Sequence, residues 1–211
     1  MLLLNVPYEE KDEAKALGAR WRPDHKKWSV FSGRDYYKFD KWIAKDNNDT
    51  IICDHVYMLI GRTECFRCHK HTSVVGIGID QYFSIEDDGY GKRYYRFYND
   101  DIHICPVFPE LPVELLDHLS RILGVRNDYS KTVQASYIAN HCGNCSSIQG
   151  NFFIFNEVDS PFFITKPEDV KKLTILKYIL PFDIVCSPNI GYASTDDMIK
   201  EFANIKDLVL K

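Results

Sequence analysis

Two Cys-x-x-Cys pairs constrain this chain more than anything else in it: Cys65-Phe66-Arg67-Cys68 and Cys142-Gly143-Asn144-Cys145. A turn of this kind aims two thiolates at one point, and two such turns close a tetrahedral site. The spacing points to a structural Zn2+ held by Cys65, Cys68, Cys142 and Cys145. Four thiolates leave no position for a reactive water, which argues against a catalytic metal. Two alternatives stay open. His69, His71 or His141 can replace one thiol, or either pair can be a redox dithiol, although neither lies in a βαβ context. The other cysteines, Cys53, Cys105 and Cys186, read as small buried hydrophobes. Seven cysteines are an odd number, so a disulfide scaffold is disfavoured.

Each knuckle is flanked by strand-like residues, which is the logic of a zinc ribbon. The 73 residues between Cys68 and Cys142 far exceed the ~15–20 of a compact ribbon, so further elements must be inserted. Strands are expected over 51–60 and 74–79, a turn over 87–91 and a strand over 92–98. A helix over 112–123 follows, with Leu115, Leu116, Leu119, Ile122 and Leu123 as its stripe and Gly124 as its stop. A strand over 132–139 feeds the second knuckle, and Phe152-Phe153-Ile154-Phe155 reads as a buried strand leaving it. Helices are expected over 167–179 and 195–210.

The first 46 residues read as a separate small module. Leu2–Val6 forms a strand, residues 9–17 a helix stopped by Gly18, and 20–22 and 27–31 two strands. Ser32, three residues before Asp35, resembles a capping box. The helix it opens carries Tyr36, Phe39, Trp42 and Ile43 on one stripe. Residues 45–50 read as a linker. Over 20–45, eight cations (Arg20, Arg22, Lys26, Lys27, Arg34, Lys38, Lys41, Lys45) face three acids (Asp24, Asp35, Asp40), in a chain whose formal charge is -4. Trp21, Trp28 and Trp42 lie among them. Such interleaving suits phosphate neutralisation and base stacking. It equally suits a small module that needs large aromatics for its core and solvates its cations.

The run Leu4-Asn5-Val6-Pro7-Tyr8-Glu9-Glu10-Lys11, then Ala14-Lys15-Ala16-Leu17-Gly18-Ala19-Arg20-Trp21 and Lys27-Trp28, resembles a small bacterial domain of unknown function. That domain recurs in plasmid and phage proteins, sometimes appended to primase, topoisomerase or helicase-like enzymes. Arg22 stands here where that pattern commonly has an acid, and Ser29 where it has Tyr. The resemblance implies a nucleic-acid setting and transfers no catalytic residue. Around the knuckles, Glu64-Cys65 to Lys70 and Asn140 to Phe152 are similar to zinc-ribbon segments of uncharacterised bacterial proteins.

The sequence is thus read as α+β. A ββ-and-helix module spans residues 1–46, and a zinc-ribbon-centred, β-rich domain with C-terminal helices spans 51–211. No apolar run approaches the ~18–20 residues of a membrane span, and the opening Met1-Leu2-Leu3-Leu4 lacks the features of a signal peptide, so a cytoplasmic protein without a membrane partner is expected. No Walker loop, dinucleotide fingerprint or zinc-protease motif occurs. The leading reading is a zinc-stabilised, non-catalytic accessory protein that meets DNA or RNA through Arg20, Trp21, Arg22, Lys26, Lys27 and Trp28. A protein-interaction module, such as an immunity or anti-defence factor, is the alternative. A metal-dependent nuclease built on Glu86-Asp87-Asp88 or on Asp100-Asp101 with His103 is a third.

Overall fold

Runs rich in Ile, Val, Tyr and Phe between Gly, Asp and Pro turns build strands here, and short amphipathic stretches build the helices. The computed structural model describes residues 1–43 and 49–210. The expected linker at 45–50 therefore lies mostly outside the described residues, as does Lys45. The fold is α+β. In chain order it runs β1 (Leu2–Leu4), α1 (Lys11–Ala16), β2 (Arg20–Arg22), β3 (Lys27–Val30), α2 (Asp40–Ile43), β4 (Thr50–Ile52), β5 (His55–Glu64), β6 (His71–Asp87) and β7 (Arg93–Cys105). Then come α3 (Val113–Leu123), β8 (Arg126–Ser130), β9 (Ala135–His141), β10 (Ile148–Gln149), α4 (Asn151–Phe155), α5 (Pro167–Lys171), β11 (Thr174–Ile179), β12 (Ile184–Cys186), α6 (Asp197–Phe202) and β13 (Ile205–Asp207).

Two compact units emerge. The first comprises Met1–His55, Gln81–Asp100 and Ile179–Ser187; the second comprises Val56–Asp80, Asp101–Tyr178 and Pro188–Lys211. In the first unit β1, β3 and β2 form an antiparallel sheet in that order. Leu2, Leu4 and Val30 are buried with Ala14 of α1 and with Tyr36, Phe39, Trp42 and Ile43. That core also takes in Ile51, Cys53 and Ile85, from well beyond residue 46. β4 pairs with residues 82–84 of β6, and β12 pairs with β4. Tyr36 donates its hydroxyl to the buried Asp183 carboxylate, and Tyr95 donates to Asp40 at 2.7 Å. Among the described residues, the buried side chains of this segment thus belong to a core shared with later parts of the chain.

In the second unit β5 and β6 form a hairpin running from Tyr57↔Gly78 to Glu64↔His71. A second antiparallel ladder joins β8 to β9, and β9 to β10. α3 ends where expected, at Gly124 with φ +67°. Leu59, Val74, Ile102, Ile104, Ile154, Phe155 and Ile175 pack together.

The structure departs from the sequence reading at four places. Residues 33–39 form a 3-10 helix before α2, and among the described residues Ser32 supplies no side-chain cap. Residues 151–155 are a helix, with Phe152 and Phe153 exposed and Ile154 and Phe155 buried. A four-residue apolar run does not distinguish strand from helix by period. The helix expected over 167–179 ends at Lys171, because Thr174 and Ile175 enter β11, which pairs in parallel with β13. The last helix likewise breaks at Ala203 (φ -81°, ψ 142°), and Ile205–Asp207 becomes that β13 partner. The second unit therefore carries a short parallel strand pair where C-terminal helices were expected.

Gly78 marks a close approach in this core. A Cβ there would lie 2.7 Å from Ile102 Cγ2 and 2.9 Å from Leu59 Cδ1. Gly78→Ala is expected to destabilise by about 1–3 kcal/mol through overpacking. It should lower the urea midpoint with the slope unchanged; an unchanged midpoint would contradict this packing.

Candidate metal centre and candidate nucleic-acid interface

Both knuckles are the ends of antiparallel hairpins, and they are built alike. Cys65 N–H donates to Lys70 O at 3.0 Å and His69 N–H to Cys65 O at 2.9 Å. Cys142 N–H donates to Ser147 O at 2.9 Å and Ser146 N–H to Cys142 O at 2.9 Å. The residue after each second cysteine is left-handed: His69 at φ +56° and Ser146 at φ +59°. A non-glycine residue there costs roughly 1–2 kcal/mol, so something must hold each turn in place.

The four sulfurs come together. Cys65 and Cys145 are 3.6 Å apart, and Cys68 and Cys142 are 3.7 Å apart. All four sulfurs lie within 4.8 Å of one another. These separations exceed a disulfide bond of ~2.05 Å. They match the edge of about 3.8 Å for a sulfur tetrahedron around an ion at about 2.3 Å. The donor set thus fits one metal ion with a closed shell. N–H groups point at the sulfurs: Asn144 N to Cys142 Sγ at 3.4 Å and Gln149 Nε2 to Cys65 Sγ at 3.5 Å. Burial opposes ionisation of Cys142, but the N–H groups of Asn144 and Cys145 and the neighbouring thiols outweigh it and bring Cys142 down to about 6. Cys145 is also lowered, first by the Ser147 hydroxyl. At Cys68 the Lys70 N–H favours the thiolate, yet burial and the three other thiols push it up to about 11.

Further bonds tie the knuckles to each other. Gly143 N–H donates to Thr72 Oγ1 at 3.0 Å, and Asn144 Nδ2 to His71 O at 3.1 Å. The buried Asn140 amide clamps the Val75 backbone, accepting from its N–H at 2.8 Å and donating to its carbonyl at 2.9 Å.

None of the three neighbouring histidines joins the sulfurs. His69 is exposed and meets Glu64 at 3.1 Å, and His71 is exposed at the start of β6. His141 is buried, with Nδ1 3.0 Å from Ala139 O and Nε2 3.1 Å from Asp128. Cys53, Cys105 and Cys186 are buried apart from the cluster, and burial alone pushes the Cys105 thiol up to about 12. The carboxylates near residue 87 shape a turn: Asp87 accepts from Gly89 N–H, and Asp88 from Tyr90 and Lys92 N–H.

In the first unit the register sorts the basic-aromatic segment into two faces. Trp21 pairs with Trp28, and Trp28 with Leu4, so both tryptophans share the face of the buried Leu2 and Leu4. Trp28 packs against the core and Trp21 meets it edge-on at 5.8 Å. Trp42 is buried. Arg20, Arg22 and Lys27 lie on the opposite face, where Arg22 pairs with Lys27. Lys26 sits in the turn at φ +50°. Phe31, one residue past β3, joins the cationic face, with the Arg20 guanidinium 5.8 Å over its ring. The structure thus gathers the four expected cations and turns Trp21 and Trp28 away from three of them. Phe31 was not singled out from sequence, although its alternation with Ser29 and Lys27 carries the signal.

A model of the domain of unknown function DUF5710 matches residues 1–44. Two proteins from Escherichia coli, each called DNA primase TraC, are 56% identical to this chain over 39 residues. Those residues are 18% of this chain and 3% and 4% of the two primases. The chain therefore spans a small part of the curated relatives it matches. No solved structure matches it. Among the described residues, no helix is long and apolar enough to cross a membrane.

Asn140→Leu is expected to destabilise by about 2–5 kcal/mol, because it strands the buried N–H and carbonyl of Val75. Chemical denaturation checks this, and a loss under 1 kcal/mol would contradict the clamp.

Proposed function

We propose that this chain is a non-catalytic accessory protein that associates with nucleic acid in a mobile-element or DNA-metabolism setting. Its second unit is stapled by one structural Zn2+ on Cys65, Cys68, Cys142 and Cys145, in the manner of a zinc ribbon with a long insertion. Zinc is the ion best suited to a closed set of four thiolates in a reducing compartment such as the cytoplasm. The nucleic-acid reading is carried by one observation: Arg20, Arg22 and Lys27 share a strand face beside Lys26. This face lies in the segment that resembles part of a DNA primase. Asp24 engages Arg22 at 3.2 Å, and this exposed pair is weak enough for a phosphate to compete with it.

Metal analysis and gel mobility test this reading together. The purified chain should carry zinc and shift mixed-sequence DNA or RNA. Affinity should fall between 50 and 200 mM salt by roughly 20- to 50-fold for a single strand, or roughly 40- to 150-fold for a duplex, if three or four phosphates are neutralised. A Lys26→Ala, Lys27→Ala variant should bind more weakly with a shallower salt slope. Absence of any shift at 50 mM salt would contradict the reading and redirect the search to a protein partner.

A further inference from the structure

The cationic face carries more than charge. Phe31 is 55% exposed, with the Arg20 guanidinium above its ring. Beside it opens a cavity of about 220 Å³, lined by Leu17, Gly18, Arg20, Phe31, Asp35 and Phe39. That is below the roughly 300–1,000 Å³ of sites that enclose a drug-sized ligand, so it suits one planar ring rather than a whole cofactor. An exposed ring, a guanidinium that can stack, a ring-sized recess and a row of cations on one short sheet are the parts that hold unstacked bases and their backbone.

A duplex does not fit this arrangement. Its bases are already stacked, and groove reading calls for a cationic helix or ribbon that enters the groove. Of the two helical segments beside this sheet in sequence, Tyr8–Ala16 opens with Glu9, Glu10, Asp12 and Glu13, which repel phosphate, and the segment over 33–43 holds Lys38 against Asp35 and Lys41 against Glu10 and Glu13. The cations sit on strands whose remaining face is taken by the core.

From this geometry we infer that the first unit is a single-strand binding surface. A base stacks on Phe31 at the mouth of the recess, and the adjoining phosphates run along Arg20, Arg22 and Lys27. This rests on the nucleic-acid reading above and narrows it to single strands and one stacking ring. Trp21, the ring that the sequence suggests, belongs to the opposite face and takes no part.

Fluorescence anisotropy of the metal-loaded full chain tests the inference, using labelled single-stranded DNA, single-stranded RNA and duplex DNA of equal length. At least one single strand should bind more tightly than the duplex; which sugar binds better separates DNA from RNA as the ligand. Phe31→Ala should weaken that binding by roughly 5- to 150-fold, the loss of one base–aromatic stack, while leaving the salt slope unchanged. Phe31→Trp should restore binding and show quenched emission when the oligonucleotide is added. Trp21→Ala should bind within about twofold of wild type, and Arg22→Ala with Lys27→Ala should flatten the slope. If Phe31→Ala binds like wild type, or the duplex binds as tightly as the single strands, the inference is wrong while salt-sensitive binding still upholds the broader reading. If no nucleic acid binds, both are overturned.

Discussion

The strongest constraint on the second unit is the convergence of four sulfurs that the chain brings together from turns 73 residues apart. Cross-linking a loop of that length removes unfolded-state entropy worth about 4–5 kcal/mol on a chain-entropy model. A structural zinc ion contributes about 10–16 kcal/mol of apparent binding free energy. That is comparable with the whole stability of a typical domain, about 5–15 kcal/mol. The left-handed turns at His69 and Ser146 then follow: such conformations persist where their surroundings over-determine them. The Asn140 clamp on Val75 and the Thr72–Gly143 bond hold the two hairpins in place around the same point.

The first unit solves a different problem. A module of about 45 residues has too little interior to stand easily alone. Here its buried side chains meet Ile51, Cys53 and Ile85, and Tyr36 and Tyr95 are anchored by carboxylates. The helical side of its sheet is thereby committed to packing. What remains outward is the strand face with Arg20, Arg22, Lys27 and Phe31, and the binding proposals follow from that division of faces.

Much of this was legible in the sequence because the local chemistry was unambiguous. The Cys-x-x-Cys spacing announced the cluster, Gly124 announced the end of α3, and the apolar stripe at Leu115 and Leu119 announced its buried side. Elsewhere the local signal was weak. Phe152–Phe155 is too short to reveal its period, and Thr174–Ile179 became a strand because β5 and Ile205–Asp207 lie on either side of it. The faces of the basic segment were hidden for a related reason: the register Trp21↔Trp28 is a tertiary fact, and it decides which side each cation and ring occupies. Composition showed tryptophan interleaved with arginine, whereas the sheet separates them.

The central claim is that one zinc ion on four thiolates holds the second unit together. Elemental analysis of the purified chain, repeated on Cys142→Ser and followed by thermal unfolding with and without chelator, tests it most directly. The account predicts one zinc per chain in the wild type, loss of that zinc in the variant, and a large fall in unfolding temperature whenever the metal is removed. A wild-type chain free of metal that unfolds at the same temperature with or without chelator would contradict it.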